Sequence, residues 1–227
     1  MVIARRFEFS PRFVLKAAVV AVQFVTLTLA AASFPDPVVD TPRVAGKSET
    51  AVLAGGCFWG VEGVFESLRG VSDVVSGYSG GKVNTAHYEM VSTGMTGHAE
   101  SVRITYDPSQ ISYGQLLKIY FSVAHDPTQL NRQGPDSGTQ YRSEIFYVNE
   151  EQKKVAEAYI RQLTEAKVYR KPIVTKLEPL QAFYPAEEHH QRFMARNPNY
   201  PYIVFNDAPK LKHLRKEFPE LVKGDSK

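Results

Sequence analysis

The chain has 227 residues, of which 43% are hydrophobic and 22% charged, and its formal net charge is +3. This composition is typical of one packed globular domain and excludes a disordered chain. The basic excess lies within residues 1–32, so the rest of the chain is neutral overall and we expect no nucleic-acid partner.

Residues 1–32 predict a signal peptide. Basic side chains precede an apolar run, Ala17–Ala32, which ends in an A-x-A cleavage pattern before Ser33. The run is shorter than the roughly 20 residues that cross a bilayer as a helix. We therefore expect export, to the periplasm of a bacterium, and membrane contact only if the segment stays uncleaved. An uncleaved membrane anchor and an organellar transit peptide are the alternatives.

A folded domain is predicted over residues 50–227, after a linker at residues 33–49, and it ends in a polar tail. Short apolar runs and alternation predict strands at 51–54, 71–77, 102–106, 145–148 and, as the final strand, 174–177. Helical spacing predicts helices at 61–68, 155–163, 187–197 and 211–222. A further helix is predicted to begin after a cap at Ser112. Residues 126–139 are expected to form a long loop. The irregular alternation of strands and helices predicts an α+β fold.

The strongest candidate for chemistry is Cys57 in the motif Gly-Cys-Phe-Trp-Gly, where a predicted strand turns into a helix. Flanking glycines let the backbone approach a ligand, and a helix N-terminus is expected to lower the pKa of the thiol. The adjacent Phe58 and Trp59 would be costly on a loop unless they lined a pocket. Cys57 is the only cysteine, so an internal disulfide is excluded. The thiol is either reactive or a buried packing residue.

A second candidate is Glu100 in Gly-His-Ala-Glu, at the start of a predicted strand. Burial there would raise the pKa of the carboxyl and keep it neutral; a surface charge is the alternative. His-x-Glu also occurs in zinc deaminases, but their Pro-Cys-x-x-Cys segment is absent, so no metal is predicted. The adjacent His189 and His190 do not share a helix face and are interpreted as cap and packing residues. Three further candidates each also suit a turn or the edge of the core: Tyr88, Asp136 and Tyr141.

Seven motifs, in order along the chain, resemble those of the A-type peptide methionine sulfoxide reductases. They are G-C-F-W-G, G-Y-S-G-G, T-G-H-A-E, Y-D-P, H-D-P-T-Q, G-T-Q-Y-R-S and F-Y-P-A-E-E-H-H-Q, within residues 50–205. The resemblance implies a two-layer ferredoxin-like plait with a central mixed sheet, flanking helices and long coil segments. It also implies a peptide-methionine (S)-S-oxide reductase that repairs proteins after oxidative stress. Its substrates would be oxidised proteins and free methionine sulfoxide.

The resemblance assigns roles to three neighbouring residues of the first motif. Cys57 corresponds to the nucleophile, which reduces the sulfoxide and is left as a sulfenic acid. Phe58 and Trp59 correspond to the wall that holds the methyl group of the substrate. Such a wall would distinguish the two epimers at sulfur, of which the family reduces the S form.

The resemblance also assigns the polar residues of the site. Glu100 corresponds to the proton donor, which requires a raised pKa at neutral pH. Tyr88 and Tyr141 correspond to the hydroxyls that bind the sulfoxide oxygen. Asp136 corresponds to a residue that helps fix the substrate backbone and the site.

One feature departs from the pattern of many family members, which carry resolving cysteines in a C-terminal tail. No cysteine follows Phe205 here, so an external thiol must reduce the sulfenic acid: thioredoxin, glutaredoxin with glutathione, or dithiothreitol. No bound cofactor is implied, and we expect a monomer. The alternatives are a cysteine peroxidase or hydrolase, and a methionine-binding or redox-sensing module without turnover.

Overall fold

In a computed structural model the described residues run from Phe34 to Gly224, so the predicted signal peptide lies outside them. The strands are β1 (Glu49–Gly55), β2 (Val71–Ser79), β3 (Ala99–Tyr106), β4 (Arg132–Gln133), β5 (Asp136–Ser137), β6 (Ser143–Tyr147), β7 (Lys176–Pro179) and β8 (Phe183–Pro185). The helices are α1 (Phe58–Glu66), α2 (Tyr88–Val91), α3 (Tyr113–Ile119), α4 (Glu150–Glu165), α5 (Phe193–Arg196) and α6 (Ala208–Glu217). Within this described part of the chain, no helix has the length and apolar character needed to span a membrane.

Six strands form one mixed sheet in the order β7-β6-β1-β3-β2-β8, and β4 pairs with β5 in a separate hairpin. Strands β6 and β7 run parallel, whereas the other neighbours are antiparallel. The central position of β1 explains its continuous apolar run, Ala51–Ala54, because both faces are buried. One face packs into the main core with the helices, and the other packs against Phe146, the coil residue Leu180 and Phe183 of β8. The predicted α+β plait with a mixed sheet is confirmed.

Two predicted boundaries near the sheet differ from the structure. The strand predicted at 174–177 corresponds to β7, Lys176–Pro179. It is not the final strand, because β8 follows it and pairs with Gly77–Ser79. The predicted loop at 126–139 contains the β4–β5 hairpin, which turns at Gly134 with a φ of 56°. A left-handed turn of this kind favours glycine. The hairpin positions a candidate site residue, because β5 begins with Asp136.

The predicted helix at 187–197 is broken into two pieces. Arg192 has a left-handed backbone with a φ of 53°, which a helix cannot contain. A 3₁₀ turn at Glu188–His190 precedes it, and the short helix α5 follows it.

The predicted cap of helix α3 is confirmed. The Ser112 hydroxyl accepts the N–H of Gln115 at 3.2 Å, and the Gln115 side chain accepts the N–H of Ser112 at 3.1 Å. Asp40, within the segment predicted as a linker, accepts the N–H of Gly114 at 2.7 Å. This segment therefore adds a carboxylate contact at the start of α3.

Candidate active site

Cys57 lies where β1 turns into α1. Gly56 has a φ of 92°, and a Cβ added there would approach Gln133 Cγ to 2.5 Å, so the turn requires glycine. Cys57 is the residue immediately before α1, and it is 8% exposed. The turn therefore brings the thiol to the N-terminal end of a helix while keeping most of it away from solvent.

Glu100 reaches the same place from strand β3. Its Oε2 accepts the backbone N–H of Phe58 at 3.1 Å, and the residue is 2% exposed. Burial raises the pKa of the carboxyl to about 8, with a smaller upward effect from Asp136 and a downward effect from the Phe58 N–H. The predicted rise in pKa is confirmed, and the carboxyl holds its proton at neutral pH.

The prediction of a lowered pKa for Cys57 is wrong. Burial raises the pKa of the thiol well above its ordinary value, and the charges of Glu100 and Asp207 raise it further. The N–H of Trp59, at the start of α1, and the charge of Lys210 oppose this rise without cancelling it. The cost of burying a thiolate exceeds the benefit of a helix terminus. The resting site therefore holds a neutral thiol beside a neutral carboxyl.

Tyr88 begins helix α2 and is anchored by Glu187. One oxygen of Glu187 accepts the N–H of Tyr88 at 2.9 Å, and the other accepts the Tyr78 hydroxyl at 2.9 Å. Burial and then the charge of Glu100 raise the pKa of the Tyr88 hydroxyl. Tyr88 therefore lies within electrostatic reach of the buried acid and keeps a proton to donate.

Tyr141 ends a 3₁₀ turn, Thr139–Tyr141, that is tied to the loop before β3. The side-chain amide of Gln140 donates to the backbone oxygen of Ser92 at 3.1 Å. Burial and then the charge of Glu100 raise the pKa of Tyr141, as they do for the other candidate tyrosine. Both predicted hydroxyls therefore lie within electrostatic reach of the same carboxyl.

An aromatic cluster adjoins the thiol. The Trp59 ring stacks on Phe193, with centroids 3.8 Å apart and planes 13° apart. Trp59 Nε1 donates to His190 Nδ1 at 3.3 Å, and Tyr202 meets the indole edge-on at 5.9 Å. The Phe58 ring is buried and lies 5.3 Å from that of His190. His190, interpreted from the sequence as a packing residue, therefore also orients Trp59.

Asp136 joins the hairpin to this cluster, because its Oδ2 accepts a short hydrogen bond from the Tyr202 hydroxyl. The charge of Asp136 also raises the pKa of Glu100 and of Tyr141. All the predicted site residues are therefore brought together. No sequence pattern marks Tyr202, which precedes a π-helical turn, Ile203–Asp207.

Sequence patterns also miss Asp207 and Lys210, which flank the start of α1. Asp207 is fully buried, and its Oδ1 lies 3.1 Å from Lys210 Nζ. A Cβ added to Gly60 would come within 2.0 Å of that same oxygen, so the last glycine of the first motif is required by this contact. The charges of the pair have opposite effects on the pKa of Cys57. Gly60 is the sequence feature that indicates that another part of the chain packs closely against α1 here.

The assembled groups suit one kind of chemistry. A thiol can give two electrons to an electrophilic atom, and a buried acid beside it can supply a proton. Two hydroxyls can stabilise charge that develops on an oxygen. The aromatic cluster can hold a small apolar group next to the thiol. The site is therefore suited to removing oxygen from an atom that also carries an apolar substituent.

Comparison with known sequences agrees with this chemistry. The family model for peptide methionine sulfoxide reductase matches residues 49–222. A relative from Mesorhizobium japonicum, peptide methionine sulfoxide reductase MsrA 2, is 63% identical over 179 residues, which cover 79% of this chain and 92% of the relative. The protein of the same name from Synechocystis is 55% identical over 195 residues, which cover 85% of this chain and 91% of the relative.

Solved structures show the same similarity. The reduced form of Mxr1 from Saccharomyces cerevisiae matches with a TM-score of 0.61 and 33% identity, over 68% of this chain and 88% of its own. Methionine sulfoxide reductase A of Corynebacterium diphtheriae matches with a TM-score of 0.58 and 35% identity, over 74% of this chain and 83% of its own.

Proposed function

The chain belongs to the A-type peptide methionine sulfoxide reductases and is a peptide-methionine (S)-S-oxide reductase, and on this basis we propose that Cys57 attacks the sulfoxide sulfur while Glu100 protonates the oxygen. The observation that carries the proposal is the hydrogen bond from the Phe58 N–H to Glu100 Oε2 at 3.1 Å. It joins the buried acid to the residue directly after the nucleophile. Because the pKa of Glu100 is raised to about 8, the acid is protonated at pH 7.

The two tyrosines bind the sulfoxide oxygen. A sulfoxide sulfur becomes electrophilic when its oxygen is protonated or strongly hydrogen-bonded, so donors are needed as attack occurs. The pKa values of Tyr88 and Tyr141 are both raised by burial and by Glu100. Their hydroxyls therefore keep their protons and act as an oxyanion hole does.

The aromatic cluster determines which epimer is reduced. Trp59 is fixed on one side by Phe193 and through its ring nitrogen by His190. With the oxygen at the tyrosines, the methyl group of only one epimer lies against this cluster. The wall of Phe58 and Trp59 therefore selects the S form in the free amino acid and in oxidised proteins.

The first half of the reaction balances without an outside reductant. A bond forms between Cys57 Sγ and the substrate sulfur, and the oxygen then passes to the Cys57 sulfur as methionine leaves. The substrate sulfur is reduced by two electrons and the cysteine sulfur is oxidised by two. Glu100 gives its proton to the oxygen and takes the proton that the thiol releases. The product at Cys57 is a sulfenic acid.

The second half requires a thiol from another molecule, because Cys57 is the only cysteine of the chain. The first thiol condenses with the sulfenic acid, which releases water and leaves a mixed disulfide at Cys57. A second thiol then attacks this disulfide, frees Cys57 and leaves as the oxidised reductant. Thioredoxin, glutathione with glutaredoxin, and dithiothreitol supply such thiols.

The reaction is tested with each sulfoxide epimer separately, in the presence of dithiothreitol. We expect methionine from the S epimer and none from the R epimer, and none from either in a Cys57→Ser control. Equal turnover of both epimers would contradict the proposed wall. Oxidation of Cys57 without turnover would instead indicate a redox sensor.

The sulfenic acid is tested by mass. The enzyme is given one equivalent of S-sulfoxide without reductant, and we expect the gain of one oxygen, trapped by a sulfenate reagent. A covalent dimer linked through Cys57 would show that a second copy resolves the sulfenic acid, and would contradict the external-thiol scheme.

We further propose that the enzyme repairs oxidised proteins outside the cytoplasm, which rests on the signal-peptide pattern of residues 1–32. N-terminal sequencing of the protein from its native cell is expected to begin at or near Ser33. A soluble protein that still begins at Met1 would contradict export.

A further inference from the structure

A buried carboxyl on the nucleophile's helix has no part in the proposed chemistry. Glu62 lies in α1, is 1% exposed, and accepts the backbone N–H of Arg192 at 2.8 Å through Oε2. Its Oε1 is buried without a hydrogen-bond partner among residues 34–224. Burial raises the pKa of Glu62 to about 7. Because burying such a group is costly, packing alone does not explain it.

The backbone that Glu62 binds is in an uncommon conformation. Arg192 is one of three non-glycine residues with positive φ in the described part of the chain, at 53°. Such a backbone persists only where neighbouring contacts hold it. The hydrogen bond to Glu62 supplies a buried contact at that point, and helix α5 begins at the next residue.

The first residue of α5 is in direct contact with the active site. Phe193 stacks on Trp59, with ring centroids 3.8 Å apart. Helix α5 also packs tightly on α1, since a Cβ added to Gly63 would come within 2.6 Å of Met194 Sδ. The direction of the chain at Arg192 therefore determines where the Phe193 ring lies.

We propose that Glu62 is a positioning residue, which holds Phe193 against Trp59 by accepting the N–H of Arg192. The inference rests on the proposed role of Trp59 as a wall for the substrate methyl group. Glu62 does not touch the reacting atoms. It acts through the backbone of Arg192, and its effect is to keep the wall in one place.

A matched control lies one helical turn further along α1. Glu66 forms an ion pair with the same Arg192, but with the side-chain Nε at 3.0 Å, and Arg192 is exposed there. Exposed ion pairs contribute little. Replacing Glu66 by glutamine therefore removes a contact to Arg192 while leaving the backbone hydrogen bond in place.

The experiment uses the intrinsic fluorescence of Trp59, the only tryptophan in the chain, together with KM and kcat for the S-sulfoxide. We expect Glu62→Ala to shift the emission and raise KM about tenfold with kcat nearly unchanged, since one buried hydrogen bond is lost. Glu62→Gln, whose amide oxygen still accepts the N–H, and Glu66→Gln should both match the wild type. If Glu62→Ala does not fold, Glu62→Asp serves, because its shorter side chain draws the oxygen away from Arg192.

Unchanged Trp59 emission in a folded Glu62→Ala or Glu62→Asp variant would overturn the proposal. So would a Glu66→Gln variant that shifts the emission as much. An emission shift with an unchanged KM would support the link from Glu62 to Phe193 and would count instead against Trp59 as the substrate wall. Phe193→Ala tests the role of Trp59 as the wall separately from the link between Glu62 and Phe193. It removes the ring that stacks on Trp59 and leaves Glu62 in place.

Discussion

Replacing Glu100 by glutamine should stabilise the protein at pH 7 while slowing its reaction. The pKa of Glu100 is about 8 in the fold, against an ordinary value of 4.5. Between these values the unfolded chain releases the proton and the folded chain keeps it, so unfolding becomes easier as pH rises. The free energy of unfolding is therefore lower at pH 7 than at acid pH by about 3 kcal/mol. Glutamine does not titrate and can still accept the Phe58 N–H, so it avoids this loss.

The assay is thermal unfolding of the wild type and of Glu100→Gln at pH 7 and at pH 5, with Glu89→Gln as an exposed control. We expect the melting temperature of Glu100→Gln to be higher at pH 7 by about 6–12 °C. The difference should shrink towards pH 5, where the unfolded chain also begins to hold the proton. The single-turnover rate should fall by about 10²–10⁴ in the same variant. A variant that is no more stable than the wild type at pH 7 would refute the reasoning.

Three further substitutions test other parts of the site. Trp59→Ala should raise KM and reduce the preference for the S epimer, measured with separate epimers; a retained preference would mean that other residues sort them. Asp207→Asn removes a charge that raises the pKa of Cys57 and leaves Lys210 without its partner. Alkylation of Cys57 by iodoacetamide at pH 7 should then be up to about tenfold faster, and an unchanged rate would contradict this. Tyr141→Phe should lower kcat by about tenfold or more with little change in KM, whereas an effect on KM alone would indicate a ground-state contact.

The residues that could be predicted from the sequence lie in short motifs whose local structure is determined by their neighbours. Glycines on both sides of the Cys57 motif indicated a turn, and a Cβ would indeed clash at Gly56 and at Gly60. Glu100 opens a strand whose alternation was clear, so its burial and raised pKa could be expected. The central strands and the cap at Ser112 were predictable for the same local reasons.

What could not be predicted depends on contacts between distant parts of the chain. From the sequence, Glu62 is only one polar position on an amphipathic helix. Its partner Arg192 lies 130 residues further along, so no local pattern indicates their hydrogen bond. Tyr202 is likewise 66 residues from Asp136. The pKa of Cys57 depends on whether burial outweighs a helix terminus, and burial is a property of the whole fold. Strand β8 has only three residues and no alternation of its own, so only its pairing with β2 defines it.

The two edges of the sheet offer little for another chain to pair with. The outer strands β7 and β8 have four and three residues, and they end at Pro179 and Pro185. A proline has no N–H to offer, and a short edge leaves few unpaired backbone groups. Another polypeptide that contacts these strands meets few free backbone N–H and C=O groups with which it could extend the sheet. Edges of this kind disfavour the edge-to-edge aggregation of copies of the protein itself.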